Sequence, residues 1–505
     1  MDIPSGGDGL NLNKKIQLMK TNLKNLFLLP ALIAGLGLIP AGRVGAQTFT
    51  TLYSFTAFGF LSITNSDGRG PLAGLILSGN TLYGTAEVGG SFANGTVFKV
   101  NTTGTGFTTL SSFTGDGNDG VGPDGGLILS GNTLYGTASQ GGSANNGTVF
   151  AVNTDGSSFT NLHSFTALND STNSDGATPV ADLVLSGNTL YGTAQVGGSF
   201  GNGTVFAIST NGTGFTNLHS FTATSGLLST NGDGANPYAG LILTGNTLYG
   251  TAETGGGFGN GTVFKLNTNG TGFTNLHSFT ALINSTNSDG AYPDGGLVLS
   301  NNTLYGTAYL GGSSGKGTVF AVNTNGTGFT NLHSFTATSG PFPSTNSDGA
   351  NPSAGLILSS NTLYGTAQFG GSSGKGTVFA VNPDGAGFTN LHSFTATVSG
   401  TNSDGANPQC SLILSGSTFY GTTPKGGSSG GGTVFSLLLE PVSAPQLTIN
   451  RSGAIVILTW PVEAVGFALQ SAPAVTGIFT NILPAATSPF TNSITGTQQF
   501  YRLSQ

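Results

Sequence analysis

The sequence predicts an all-β fold, a seven-bladed β-propeller with four-stranded blades and an N-terminal strand that closes the last blade, followed by a small fibronectin-like β-sandwich module. Constant spacings between recurring motifs predict the propeller. An Asp-Gly, a Tyr-Gly and the Phe of a Gly-Thr-Val-Phe recur seven times at unvarying separations, as in Asp233, Tyr249 and Phe264. Six times the Phe of a Leu-x-Ser-Phe follows, again at a constant separation, as in Phe279. Such a period indicates one supersecondary unit stacked on copies of itself.

Each repeat contains four short runs with strand character, separated by turn residues. In the fourth repeat these runs are Gly240–Thr244, Thr247–Ala252, Thr262–Asn267 and Phe273–Phe279. A Gly-Asn pair between the first two runs is typical of a tight hairpin. The second and third runs are apolar on both faces, so the sheet is expected to lie between two other sheets. A β-helix is the alternative, but its coils are shorter and lack hairpins.

The two ends of the array predict how it closes. The chain after residue 46 opens with a run of the fourth type, Phe49–Phe55, which has no preceding partners of its own. The array ends near Leu439 with runs of the first three types only. We therefore predict that Phe49–Phe55 pairs with Thr433–Leu439, which closes a ring and removes an exposed edge.

The N-terminus predicts export. Four lysines between Lys14 and Lys24 precede the apolar run Leu26–Ala41, and Val44–Ala46 offers a small-residue cleavage site. This pattern predicts that residues 1–46 are a signal peptide, with a retained anchor as the alternative. Translation could begin at Met1 or at Met19.

The composition excludes some partners and limits the sources of stability. Removing five basic and two acidic residues with the signal peptide leaves 8 Lys/Arg and 18 Asp/Glu, a net charge of −10. An acidic surface repels phosphate backbones, so nucleic acid is excluded as an expected partner. Cys410 is the only cysteine, so an intrachain disulfide is impossible.

The repeated string Leu-Tyr-Gly-Thr-Ala, then Gly-Gly, then Gly-Thr-Val-Phe, resembles the bacterial GloVer tandem repeat over residues 49 to 440. The resemblance implies an exported protein of the periplasm, cell surface or medium of a bacterium, with no assigned biochemical role. The last repeat departs from the pattern, with Phe419 in place of Leu and Thr423-Pro424 in place of Ala-x.

A separate module follows the array. We divide the mature chain into the propeller at 47–440, a linker at 441–446 and a small β module at 447–505. Strand-like segments occur at Leu447–Asn450, Ala454–Trp460, Gly466–Gln470 and Gln499–Leu503. The early Trp and the closing Phe-Tyr-Arg-Leu resemble small fibronectin-like modules. No long apolar segment follows, so no membrane span is expected after signal cleavage.

Candidate ligand-binding positions lie just after the Tyr-Gly-Thr-Ala string, where the repeats differ while their flanks are constant. Loops that vary on a rigid scaffold often bind ligands, and neutral drift at exposed positions is the alternative. The candidates are Glu87, Gln140, Gln195, Glu253, Tyr309 and Gln368.

The seven Asp-Gly aspartates could form a carboxylate ring for Ca²⁺. Asp followed by Gly more often forms a turn, and we take the turn as the main interpretation, with no cofactor required. The aspartates are Asp67, Asp119, Asp175, Asp233, Asp289, Asp348 and Asp404. Five histidines occupy the same position in successive repeats and are interpreted as structural; they are His163, His219, His277, His333 and His392.

Near-identical repeats do not single out a catalytic residue. We therefore expect a monomeric, non-catalytic binding or cell-surface scaffold protein whose loop-rich face binds an extracellular glycan or protein. The alternative is a propeller enzyme, a lyase or hydrolase acting on polysaccharide, whose acid and base would have to break the repeat symmetry.

Overall fold

The computed structural model describes residues 47–58, 63–439, 447–452, 455–460, 468–473, 478, 480–482, 489–493 and 499–504. The predicted signal peptide (1–46) and linker (441–446) lie outside these residues. The described residues form strands and turns, with no helix among them, and so none that could cross a membrane.

Residues 47–439 build seven four-stranded antiparallel sheets. The strands of a sheet are called first, second, third and fourth in the order in which they pair across it. The first strands are Ile76–Ser78, Ile128–Ser130, Val184–Ser186, Ile242–Thr244, Val298–Ser300, Ile357–Ser359 and Ile413–Ser415. The second strands are Thr81–Ala86, Thr133–Ala138, Thr189–Ala194, Thr247–Ala252, Thr303–Ala308, Thr362–Ala367 and Thr418–Thr423.

The third strands are Thr96–Asn101, Thr148–Asn153, Thr204–Ser209, Thr262–Asn267, Thr318–Asn323, Thr377–Val381 and Thr433–Leu439. The fourth strands of the first six sheets are Thr108–Ser112, Thr160–Ser164, Thr216–Ser220, Thr274–Ser278, Thr330–Ser334 and Thr389–Ser393. A further two-residue ladder joins Gly120–Val121 to Gln140–Gly141.

The fourth strand of the seventh sheet comes from the other end of the chain. Gln47–Ser54 pairs antiparallel with Thr433–Leu439, from Gln47 opposite Leu439 to Ser54 opposite Thr433. The predicted pairing of the leading strand with the last sheet is confirmed.

The local sequence explains the hairpins and the close packing within each sheet. In the Gly-Asn turn between first and second strands, Gly245 has a φ of 56°, which glycine adopts without strain. The Gly of Tyr-Gly lies beneath an aromatic ring, since a Cβ on Gly192 would come within 2.6 Å of the Phe206 ring. Only glycine lets that buried ring lie flat on the neighbouring strand.

Seven apolar clusters lie between successive sheets. One joins Tyr83 and Val97 of the first sheet to Leu134 and Phe150 of the second. The cluster between the seventh and the first sheet has the same composition, with Tyr420 and Val434 packed against Leu82 and Phe98 of the first sheet. Because the last sheet packs on the first as any sheet packs on the next, the seven sheets form a closed, propeller-like ring.

Backbone contacts repeat the same closure. The Thr of Tyr-Gly-Thr donates its hydroxyl to a carbonyl of the following repeat, as Thr193 does to Ala239 at 3.1 Å. At the seam Thr422 donates to the Ala73 carbonyl at 2.8 Å. Every joint of the ring, the non-covalent one included, uses this bond.

The C-terminal segment forms two three-stranded antiparallel sheets. One consists of Thr448–Ser452, Ile455–Thr459 and Phe490–Ser493, and the other of Thr480–Asn481, Ala468–Ala472 and Phe500–Ser504. The four strand-like segments predicted after residue 446 each overlap one of these strands.

Candidate functional site

A cavity of about 230 Å³ is lined by residues from all seven repeats. We call it the axial cavity, because the seven sheets surround it and present to it the segments that precede their first strands. Each repeat contributes the residue after the Pro of Asp-Gly-x-x-Pro. These residues are Leu72, Asp124, Val180, Tyr238, Asp294, Ser353 and Gln409. No two neighbouring repeats carry the same residue here, so the repeat symmetry is broken at the axis.

Two features of Asp-Gly-x-x-Pro direct this residue inward. The residue before the Pro has a left-handed backbone in all seven repeats, for example φ 56° at Asn236 and 57° at Tyr292. Its backbone N–H donates to the preceding repeat, as Tyr292 does to the Asn260 carbonyl at 2.9 Å. The Pro then fixes φ for the next step of the chain. The turn therefore anchors each repeat to its neighbour and delivers a variable side chain to the axis.

Carboxylates dominate the polar lining of the axial cavity. Burial raises the pKa of Asp124 to about 7, opposed by a hydrogen bond with Ser139 and reinforced by repulsion from Glu87. Burial, with repulsion from Glu253, also raises the pKa of Asp294 well above its usual value. The Oδ1 atoms of both aspartates are buried and receive no hydrogen bond.

Asp182 and Tyr238 add two further polar groups to this lining. Asp182 reaches solvent in the cavity yet is enclosed by protein, which raises the pKa of its carboxyl, and its Oδ1 accepts the Gly126 N–H at 2.5 Å. Burial and the negative charge of Asp124 and Asp294 raise the pKa of the Tyr238 phenol to about 12. Tyr238 thus lies within the electrostatic reach of acidic groups from repeats on either side.

Five of the six predicted ligand-binding residues occupy equivalent positions near this cavity. Each is half-buried, and its backbone N–H donates to the carbonyl of the residue before the Pro in its own repeat. These residues are Glu87, Gln195, Glu253, Tyr309 and Gln368. Burial raises the pKa of Glu87 and of Glu253, and in Glu253 a hydrogen bond from the neighbouring repeat's Gln195 opposes the rise.

Gln140 lies one position later than the other five. It is exposed and pairs with Val121 in the two-residue ladder. Ser139 holds the equivalent inner position in the second repeat, where it is buried and its hydroxyl donates to the Gly122 carbonyl at 3.1 Å. The predicted residues are bonded to the segments that line the cavity, but none of them lines it. The missed signal was the variation of the residue after the Pro.

The seven Asp-Gly aspartates form separate networks, one per repeat. Asp175 accepts hydrogen bonds from the backbone N–H of Thr166 at 3.0 Å, from the Thr166 hydroxyl and from Nε2 of His163 at 3.0 Å. Asp119 lacks a histidine partner and accepts from Thr114 and Gly115 instead. Among the described residues, no three His, Cys, Asp or Glu side chains group closely enough to hold a metal ion. Each aspartate thus connects the end of a fourth strand to the start of the next repeat, and the turn and calcium interpretations both stay predictions.

The five histidines link neighbouring sheets. Each bonds the Asp-Gly aspartate at 2.9 to 3.1 Å. Each ring also stacks on a Phe of the next sheet, as His163 does on Phe215 with 3.9 Å between centroids. At the last sheet the partner is Phe49 of the leading strand, stacked on His392 at 4.0 Å. Their role is structural.

Several solved structures resemble this fold at low sequence identity. A puromycin-hydrolyzing peptidase from Mycobacterium tuberculosis has a TM-score of 0.46 and 13% identity, over 84% of this chain and 61% of that one. An oligogalacturonate lyase from Vibrio parahaemolyticus has a TM-score of 0.43 and 9% identity, over 79% and 98%. TolB from Acinetobacter baumannii has a TM-score of 0.34 and 13% identity, over 60% of each chain. Their functions differ from one another, and none is transferred to this chain.

No curated protein matches the sequence. The Gloeobacter/Verrucomicrobia repeat matches it three times in tandem, over residues 37–232, 227–347 and 342–450. These matches span the whole ring of sheets, and the chain belongs to the Gloeobacter/Verrucomicrobia repeat family.

Proposed function

We propose that this protein is an exported, non-catalytic binding protein that takes up a carbohydrate at the mouth of the axial cavity. Its scaffold is a seven-bladed β-propeller followed by a fibronectin-like β-sandwich module. One observation carries the proposal: side chains that differ from repeat to repeat converge on one cavity, while the strand motifs around it are nearly constant.

The chemistry of this surface suits a sugar. Carboxylates (Asp124, Glu253), amides (Gln195, Gln409) and a phenol (Tyr238) supply acceptors and donors for hydroxyl groups. Tyr238, which is 38% exposed, also offers an aromatic face. A few convergent polar groups in a concave site are the usual means of fixing a small ligand.

The test is a glycan array probed with the mature chain from Gln47 onward. Retention of glycans without turnover is expected, and Tyr238→Ala should abolish it. Leu72→Ala, which alters an apolar lining residue, is the matched control and should retain most binding. Retention by the wild type that Tyr238→Ala leaves unchanged would move the site away from the cavity. If the array retains no glycan and a protein ligand is found instead, the carbohydrate part of the proposal is wrong.

One observation favours an enzyme as the second candidate. A carboxyl with a pKa near 7, as in Asp124, suits proton transfer at neutral pH. A lyase or hydrolase acting on polysaccharide would release new chain ends from a retained glycan, and Asp124→Asn would stop that release without preventing retention. Retention with no new ends would exclude the enzyme for the glycans tested.

Export is tested separately. The apolar run and small-residue site before Gln47 support removal of residues 1–46. N-terminal sequencing of the protein from the periplasm or medium of a bacterium should begin at Gln47, and light scattering should give the mass of a monomer. Recovery of the uncleaved chain in the membrane fraction would instead favour a retained anchor.

A further inference from the structure

The axial cavity has a strongly one-sided electrostatic lining. Only 20 of the 505 residues are Asp or Glu, yet Asp124, Asp182 and Asp294 all line this one cavity. None of its lining residues is Lys, Arg or His. Glu87 and Glu253 add negative charge close to Asp124 and Asp294, respectively. Gathering carboxylates around one cavity is costly when only water fills it, because like charges repel and burial disfavours the charged form of each.

Part of the lining receives no hydrogen bond from the protein. Oδ1 of Asp124, Oδ1 of Asp294 and Oγ of Ser353 are buried without a hydrogen-bond partner. Elsewhere in the same repeats, the Asp-Gly aspartates accept three bonds each, as Asp175 does. Buried polar atoms are normally satisfied, and leaving one unpaired is costly. Asp124, Asp294 and Ser353 therefore each offer a ligand an oxygen that has no hydrogen-bond partner in the protein.

We propose that the axial cavity binds a protonated primary amine. An ammonium group brings three donors and a positive charge, and in a cavity of about 230 Å³ without a lining cation it can donate to an unpaired carboxylate oxygen such as Oδ1 of Asp124 or of Asp294. A guanidinium would pair instead with both oxygens of one carboxylate. Direct metal coordination needs grouped ligands, and the described residues contain no group of three His, Cys, Asp or Glu that could hold an ion. The half-exposed ring of Tyr238 offers a cation–π face at the same cavity.

This inference rests on the proposed function in one respect: it names the chemical group for which the same cavity is built. The amine could be carried by a free alkylamine or by an amino sugar. Both share the ammonium chemistry, and the experiment separates them.

Calorimetric titration of the mature chain at pH 7.5 uses three probes: 1,4-diaminobutane, the β-1,4-linked glucosamine dimer and its N,N′-diacetylated form. The acetylated dimer is the neutral control for the sugar. We expect at least tenfold tighter binding of an amine probe than of the acetylated dimer. Asp124→Asn and Asp294→Asn should each weaken amine binding at least tenfold. Asp170→Asn, on an exposed loop, should leave it unchanged, and circular dichroism checks that each variant is folded.

The outcomes are distinct. Binding of the diamine but not of the glucosamine dimer supports the inference with a free amine as ligand and counts against the carbohydrate proposal. Preference for the glucosamine dimer supports both. Equal binding of the amino and acetylated dimers overturns the inference and leaves the carbohydrate proposal standing. Absence of amine binding, or amine binding that both aspartate variants retain, also overturns the inference.

Discussion

Five Asp-Gly aspartates and three aspartates of the axial cavity have pKa values that shift in opposite directions. In the Asp-Gly aspartates, burial would raise the pKa, but the hydrogen bonds from a histidine and a threonine outweigh burial and lower it. This holds for Asp175, Asp233, Asp289, Asp348 and Asp404. In Asp124, Asp182 and Asp294 burial prevails, and the pKa is raised. The first group stabilises the ring, and the second belongs to the cavity.

Replacing one Asp-Gly aspartate should destabilise the fold. Asp175→Asn removes the charge that accepts three hydrogen bonds, so the free energy of unfolding at pH 7 should fall by about 1.5–3 kcal/mol. A carboxyl with a lowered folded pKa contributes stability above its unfolded pKa of about 3.9, and that stability is lost as pH falls through the folded value. The difference between wild type and variant should therefore shrink below about pH 4. Urea unfolding from pH 7 to pH 3 measures it, and an effect no larger than that of exposed Asp170→Asn would contradict it.

Asp124 predicts the reverse pH dependence. Its raised folded pKa means that stability is greatest below the unfolded pKa of about 3.9 and is lost as pH rises through about 7. Asp124→Asn removes this loss, so the variant should exceed wild type at pH 8 by roughly 2–4 kcal/mol, and by little at pH 4. Thermal unfolding at both pH values is the measurement, with Asp116→Asn, on an exposed turn, as control. A variant less stable than wild type at pH 8 would show that the Asp124 carboxylate is satisfied in the folded protein.

At the scale of elements, the leading strand is the clearest success of the sequence argument. The count of strand types left Phe49–Phe55 without a sheet and Thr433–Leu439 without a neighbour, and the two pair in the structure. The differences among repeats at Glu87, Glu253 and Tyr309 led to residues bonded to the lining segments, and their role in ligand binding stays a prediction. The residue after each Pro also differs between repeats, and this variation would have identified Asp124 and Asp294.

Other features depend on neighbours that spacing does not specify. The single bridges such as Ala235 to Thr254 recur at the same separation in six repeats, but one residue pair is too short to show strand character in the sequence. The raised pKa of Asp294 depends on Glu253, and a repeat alignment does not measure the approach of two side chains. The order of elements could therefore be predicted from the sequence, whereas the electrostatics of the cavity depend on distances between side chains that the sequence does not give.

Removing the leading strand should open the ring. A chain lacking residues 47–56 leaves Thr433–Leu439 as an exposed edge and uncovers the Phe55 site. We expect a lower melting temperature and concentration-dependent aggregation. In the full-length chain, Phe49→Ala should cost about 2–4 kcal/mol, because Phe49 packs against His392 and Phe435. Thr50→Ala, at an exposed position on the same strand, is its control. A truncated chain that melts with wild type would refute closure by this strand.

At the scale of the whole molecule, seven equivalent joints make the chain a ring. In an open array each unit is stabilised only by its neighbours, so the first and last units each lack one interface. In a closed ring the interface between the last and first sheets should contribute as much to stability as any other interface. The hydroxyl bond from Thr422 to Ala73 is thus expected to matter as much as the bond from Thr193 to Ala239.

Two matched substitutions test this equality. Thr422→Val and Thr193→Val each leave a carbonyl between two sheets without its donor, and each should reduce the free energy of unfolding by about 1–3 kcal/mol. Thr50→Val, at an exposed threonine of the leading strand, reports the effect of the substitution alone. Urea midpoints of the three variants give the comparison. A cost at Thr193 with none at Thr422 would mean that the seam is not a full joint in solution.

The antiparallel pairing of Gln47–Ser54 with Thr433–Leu439 has a mechanical consequence. Gln47, where the chain enters the ring, lies opposite Leu439, where it leaves. A force that pulls these two points apart acts on one residue pair at a time, so the hydrogen bonds between the two strands break in sequence from that end. The ring therefore resists heat through all its joints at once, yet it should yield to modest tension at the place where its ends meet.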